Sequence, residues 1–160
     1  VVPGQDLLYA EWLMMQNPRA SFSEKKQPLP GQRHPGLGLL REVVAWWMVL
    51  CERLALDGIL FVPSHYYMAA LGRRHMRFLN AQDEATFDAF RTAVRGLQLA
   101  AATEAIEAGR IVDRGAGRVA EWHAPVMILP TEKRSGERLE AEAYERNLRR
   151  TRAELDFVLS

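Results

Sequence analysis

Prolines at positions 18, 28, 30 and 35 shut residues 17–38 out of any helix, because each lacks an amide hydrogen and clashes with the preceding turn. Directly after this loop the pattern changes. Leu40, Val43, Val44, Trp47, Leu50, Cys51 and Leu54 recur at three- and four-residue spacing, which predicts an amphipathic helix. Any fold of this chain must therefore join a long loop to the start of that helix. Ala45, Trp46, Met48 and Val49 are apolar as well, so the helix is expected to be central, burying more than one face against a sheet and a neighbour. It should stop near Asp57 and Gly58, and Ile59, Leu60, Phe61 and Val62 then read as a short buried strand closed by Pro63.

The flanks extend this picture. Residues 6–16, DLLYAEWLMMQ, read as a strand ending before Asn17 and Pro18. Beyond Pro63 a second helix is expected over residues 66–75. Asn80 is suited to cap a third that presents Phe87, Phe90, Val94 and Leu97, with Gly96 near its end. A short helix follows over residues 99–108, terminated by Gly109. Residues 110–122 form a predicted hairpin, in which RIVD and RVAEW flank the turn of Arg114, Gly115, Ala116 and Gly117. Residues 126–129 suggest another strand, and Leu139, Ala143, Leu148 and Leu155 mark a long charged C-terminal helix. The sum is an α/β fold with a small central sheet, a glycine-loop helix and a mostly helical C-terminal half. With 160 residues, one domain is expected.

Composition narrows the function classes. Lys and Arg number 21 against 20 Asp and Glu, a net charge of +1, so no strong field exists to attract nucleic acid or anionic lipid. The longest near-continuous apolar run, residues 43–51, falls well short of the roughly 20 residues needed to span a bilayer, and no signal-peptide pattern opens the chain. No nucleic-acid partner and no membrane span are expected. The lone Cys51 excludes an intrachain disulfide framework and a multi-thiolate zinc site, and it suits a reducing, cytoplasmic setting. On the apolar stripe it reads as a buried, inert thiol. Histidines at 34, 65, 75 and 123 show no metal-ligand spacing.

The segment Arg33, His34, Pro35, Gly36, Leu37, Gly38 is the most informative. Alternate glycines let a ligand approach the backbone, and the unpaired amides of the following helical turn would point at it, a combination that suits phosphate. The P-loop lysine and the third glycine of a dinucleotide fingerprint are both missing. A plain Pro-Gly turn leading into a helix is the alternative.

Taken together, RHPGLG, the helix LLREVVAWWMVLCERLALDG, the strand ILFVPS and the segment HYYMAALGRRHMRF resemble the acyl-coenzyme A binding core of GNAT-type N-acyltransferases. Arg33, Gly36 and Gly38 match that family's loop, Ala69 the small residue of its second helix and Phe78 the closing aromatic. The likeness covers residues 33–78. It implies that amides around Leu37, Gly38, Leu39 and Leu40, with Arg33, His34 and Gly36, cradle the pyrophosphate of acetyl-CoA or another acyl-CoA. A splayed strand at residues 59–63 would take the pantetheine arm. The family carries more chain ahead of its loop and closes with two strands, so a fragment or a truncated version of the fold is implied. Arg73 or Arg74 stands where its acid tyrosine often falls.

His65, Tyr66 and Tyr67 follow a predicted strand end, where ligand sites of open α/β sheets gather. They offer an imidazole base and a phenol acid for acyl transfer to an amine. No partner carboxylate is visible in sequence. Arg73, Arg74, His75 and Arg77 form a basic cluster that reads as a solvated face or as a hold for a coenzyme phosphate. The rival reading is a non-catalytic interaction module, in which a GNAT-like half-domain is completed by a partner chain or a homo-oligomer. A third is a small-molecule binding domain in which His65 and the tyrosines orient a ligand without turnover.

Overall fold

The computed structural model describes residues 4–11, 14–23, 28–131 and 138–160. Its elements run β1 (Leu7–Ala10), α1 (Leu40–Arg53), β2 (Gly58–Phe61), α2 (Tyr66–Gly72), β3 (Arg77–Phe78), α3 (Ala81–Ala93), α4 (Leu99–Glu107), β4 (Ile111–Asp113), β5 (Arg118–Val119), β6 (Met127–Pro130), α5 (Arg138–Glu154) and β7 (Phe157–Leu159). This is a mixed α/β architecture with two small sheets. One has the order β1-β2-β6-β3 and the other β5-β4-β7.

In the larger sheet β1 lies parallel to β2, Leu7 opposite Gly58 through Ala10 opposite Phe61. A parallel pair needs a crossover, and the proline-rich loop with α1 supplies it. On its other side β2 runs antiparallel to β6, with Gly58 opposite Pro130, and β6 in turn pairs with β3. The expected strand over residues 6–16 shortens to four residues; positions 12 and 13 lie outside the described ones. Met15 and Gln16 instead meet the glycine loop, at Leu37 and Gly36.

The core forms where α2, α3 and α4 cover the sheet. Phe87, Phe90, Ile106, Ile111 and Met127 are fully buried, and Tyr66, Phe78, Val94 and Ala102 pack with them. Phe90 meets Phe157 edge to face at 4.8 Å, which ties the second sheet to the same core. Asn80 caps α3 as its position predicts: its side chain accepts a hydrogen bond from the Asp83 amide at 2.8 Å. Gly109, at φ +67°, ends α4 in the left-handed conformation a helix terminator adopts. Asp88 binds α3 to its neighbours, taking Arg73 from the end of α2 and Arg152 from α5. Arg73 also stacks over the Phe87 ring at 5.3 Å, so it leaves the solvated basic face to Arg74, His75 and Arg77.

Two expectations are corrected, the place of α1 and the extent of the C-terminal stripe. The helix over residues 40–53 is peripheral rather than central: only Cys51 is buried, while Trp46 is 63% exposed and Val49 and Leu54 face solvent. The apolar run reflects a helix packed on β2 along one edge, its remaining apolar side chains uncovered. The C-terminal half carries α3, α4 and α5 as expected, and in addition β7 follows α5 and pairs with β4. Of the C-terminal stripe, Leu148 is buried against Ala81 and Ala85, whereas Ala143 is exposed. Cys51 does sit buried, and burial pushes its thiol up from the ordinary range. No helix among the described residues is long and apolar enough to cross a membrane.

Candidate functional site

The glycine loop is fastened by the residues that leave β1. The Gln16 side-chain oxygen accepts from the amides of Arg33 and His34, each at 2.9 Å. Gly36 bridges Gln16, and the Leu37 amide donates to the Met15 carbonyl at 3.0 Å. These bonds consume the amides at positions 33, 34 and 37, which corrects the expectation that Leu37 belongs to an amide cradle. The open donors start one residue later. Val43 is the first amide of α1 bonded back, to Leu39 at 3.0 Å, and the amides of residues 38–42 have no partner among the described residues. Gly38, at φ +77°, makes the turn into the helix with nothing within 4 Å of where a Cβ would stand. Leu39 occupies the N-cap without a side-chain bond, and Leu37, Leu39 and Leu40 are about half exposed. Glu42 in the first turn pairs with Arg41 at 3.6 Å.

His65 stands at the N-cap of α2, just past the end of β2. Its Nδ1 meets Glu107 Oε1, the last residue of α4, at 2.6 Å. A carboxylate at this distance orients an imidazole and favours the proton on Nδ1, leaving Nε2 as the basic nitrogen. Glu107 lies 42 positions from His65 in the chain, and only the docking of α4 on α2 joins them. Tyr67 stacks on the imidazole with ring centroids 5.5 Å apart. Burial first, and the Glu107 carboxylate second, push the Tyr67 phenol up, so it stays protonated at neutral pH.

The loop reaches this pair. A Cβ added at Gly31 would stand 2.9 Å from His65 Nε2, so only a residue without a side chain lets the loop pass this close. His65 is thus a neighbour of the loop at Gly31.

Tyr66 separates from them. Its ring turns into the core, stacked on Phe87 at 5.3 Å and edge-on to Trp122 at 5.7 Å, while burial raises its phenol. Sequence reading missed two residues of this site. Glu107 carries no local signal, and Gln16 hides in what reads as the tail of a strand.

Comparison with known proteins returns no matching family model, no similar curated protein and no similar solved structure.

Proposed function

We propose that the chain is a GNAT-like N-acyltransferase that uses acyl-CoA, with His65, oriented by Glu107, as its base, Tyr67 as its acid and an amine as acceptor. One observation carries this reading: the loop at Gly31, where an added Cβ would stand 2.9 Å from His65 Nε2, runs on to the amides of residues 38–42, which have no hydrogen-bond partner among the described residues. A coenzyme pyrophosphate on those amides would bring its thioester toward the end of β2, where the parallel strands part after Ala10 and Phe61. The antiparallel β6 and β3 also support the reading, since the family closes with two strands. Here α3, α4 and the hairpin of β4 and β5 are inserted between them.

In the reaction the amine nitrogen attacks the thioester carbonyl carbon. A carbon–nitrogen bond forms, the carbon–sulfur bond breaks, and the proton lost from nitrogen passes to His65 Nε2. The coenzyme thiolate leaves and takes a proton from the Tyr67 phenol; solvent then resets both groups. Glu107 holds the imidazole in the productive tautomer.

Release of coenzyme thiol from acetyl-CoA across a panel of primary amines tests the roles. His65→Ala is expected to slow turnover by about a hundredfold and Glu107→Gln by about tenfold, with coenzyme affinity unchanged. Gly31→Ala, whose Cβ would push on the imidazole, should lower turnover in the same direction. Full turnover in His65→Ala would remove the pair from the mechanism.

The second reading is a non-catalytic interaction module. The uncovered Trp46, Val49 and Leu54 of α1 favour it, as does β1, which pairs only with β2 among the described residues. The two readings part on coenzyme binding, which only the first requires.

A further inference from the structure

From a second cleft, at the opposite end of α4 from Glu107, we infer that the protein holds a phosphoryl group between Arg91, Arg95, the Tyr66 hydroxyl and the first amides of α4. The cleft has a volume of about 500 Å³ and is bordered by Tyr66, Arg91, Arg95 and Gly96, with Val94 and Leu97 among its apolar walls. Tyr66 is the telling residue. It is only 3% exposed, yet its hydroxyl has no hydrogen-bond partner among the described residues, and the residue borders the cleft. Among the described residues this hydroxyl is not one of the fully buried polar atoms left without a partner, so it is the open tip of a buried ring and is free to donate to an acceptor in the cleft. Arg91 borders the same cleft as Tyr66.

The charge balance points to an anion. Arg91 and Arg95 border the cleft and no acidic residue does; Arg91 shares Asp88 with Arg73 and Arg152. Arg95 is exposed and forms no ion pair among the described residues. The helix end adds donors: Gln98 at the N-cap makes no side-chain bond, no acidic residue occupies the first turn, and the first amide bonded back is Ala102, to Gln98 at 2.8 Å. Gly96, at φ +95°, has nothing within 4 Å of a Cβ position, so the approach stays open. Guanidinium groups, amides and a phenol form the donor set for a tetrahedral oxyanion. The cleft exceeds the size of a bare phosphate, and its apolar walls leave space for the organic part of a phosphomonoester. None of these residues belongs to the glycine loop or to the His65–Glu107 pair, so this inference stands apart from acyl transfer.

Amide chemical shifts of residues 96–101, followed during titration with inorganic phosphate and separately with phenyl phosphate at matched ionic strength, test it. Saturable shifts centred there are expected. Arg95→Gln should weaken binding by about tenfold and Tyr66→Phe, which keeps the ring packing, by about fivefold. Tighter binding of phenyl phosphate would assign the site to an ester, and equal affinity to free phosphate. Shifts that never saturate, or that persist unchanged in both variants, would overturn the inference.

Discussion

Asp88→Ala is expected to destabilise the fold by about 3 kcal/mol, read as a lower midpoint in urea with an unchanged slope. The Asp88 side chain is only 10% exposed and takes Arg73, Arg152 and Arg91, the last at 3.2 Å. Those arginines come from the end of α2, from α5 and from α3 itself, so a single carboxylate holds three elements in register. Removing it leaves Arg73 and Arg152 to Glu84 alone and Arg91 without a carboxylate among the described residues. Partners of a fully buried ion pair lose about 3–5 kcal/mol in this way. Here Arg152 and Arg91 reach solvent, which lowers the figure toward the bottom of that range. Asp88→Asn, which keeps the shape and part of the hydrogen bonding, should cost less. A loss under about 1 kcal/mol in Asp88→Ala would mean that the cluster behaves as a set of surface pairs.

Gly58→Ala should have an effect of similar size by a different route. A Cβ there would lie 2.5 Å from the Leu129 carbonyl oxygen and 3.0 Å from the Pro130 Cα. Both contacts are to backbone, so no side chain can swing away, and β2 must separate from β6 at the point where Gly58 faces Pro130. Strain of this kind costs about 1–3 kcal/mol, and in the centre of a four-stranded sheet the upper end is expected. Gly72→Ala serves as the control. Its Cβ would meet only the Met76 and Met127 side chains, at 3.8 Å and beyond, and alanine is the better helix former, so stability should hold or rise. Equal destabilisation by the two substitutions would contradict the steric account.

The parts of the fold legible in sequence are those governed by local chemistry. Asn80 announces its cap, Gly109 its helix end, and residues 114–117 the turn between β4 and β5. The α1 periodicity also gives the helix correctly, but not its surroundings. Apolar density from Val43 to Cys51 reads as burial on several sides, whereas Trp46 and Val49 stay uncovered, because periodicity reports what a helix could bury and not what lies beside it. Long-range pairings escape altogether. β3 is too short to leave a pattern, and β7 is visible only through its partner β4. The candidate site divides in the same way. The glycine loop and His65 stand out by residue type, while Glu107 reaches His65 only through the packing of α4 against α2. Tyr66 and Tyr67 are adjacent in sequence and look equivalent, yet the first turn of α2 sends one into the core and leaves the other stacked on the imidazole.

The central claim, that the loop from Gly31 to Gly38 presents an acyl-CoA to His65, is tested most directly by calorimetric titration of the folded chain with acetyl-CoA, with dephospho-coenzyme A in parallel. The loop already accommodates a Cβ at Gly36, where the nearest atom is the Met15 carbonyl oxygen at 3.5 Å, so Gly36→Trp should fold while filling the approach to the amides. The account predicts saturable micromolar binding to the native chain and its loss in Gly36→Trp. Absence of binding by a folded sample, or equal binding by the variant, would contradict it; the loop would then be a turn, and the uncovered face of α1 would point to a partner chain.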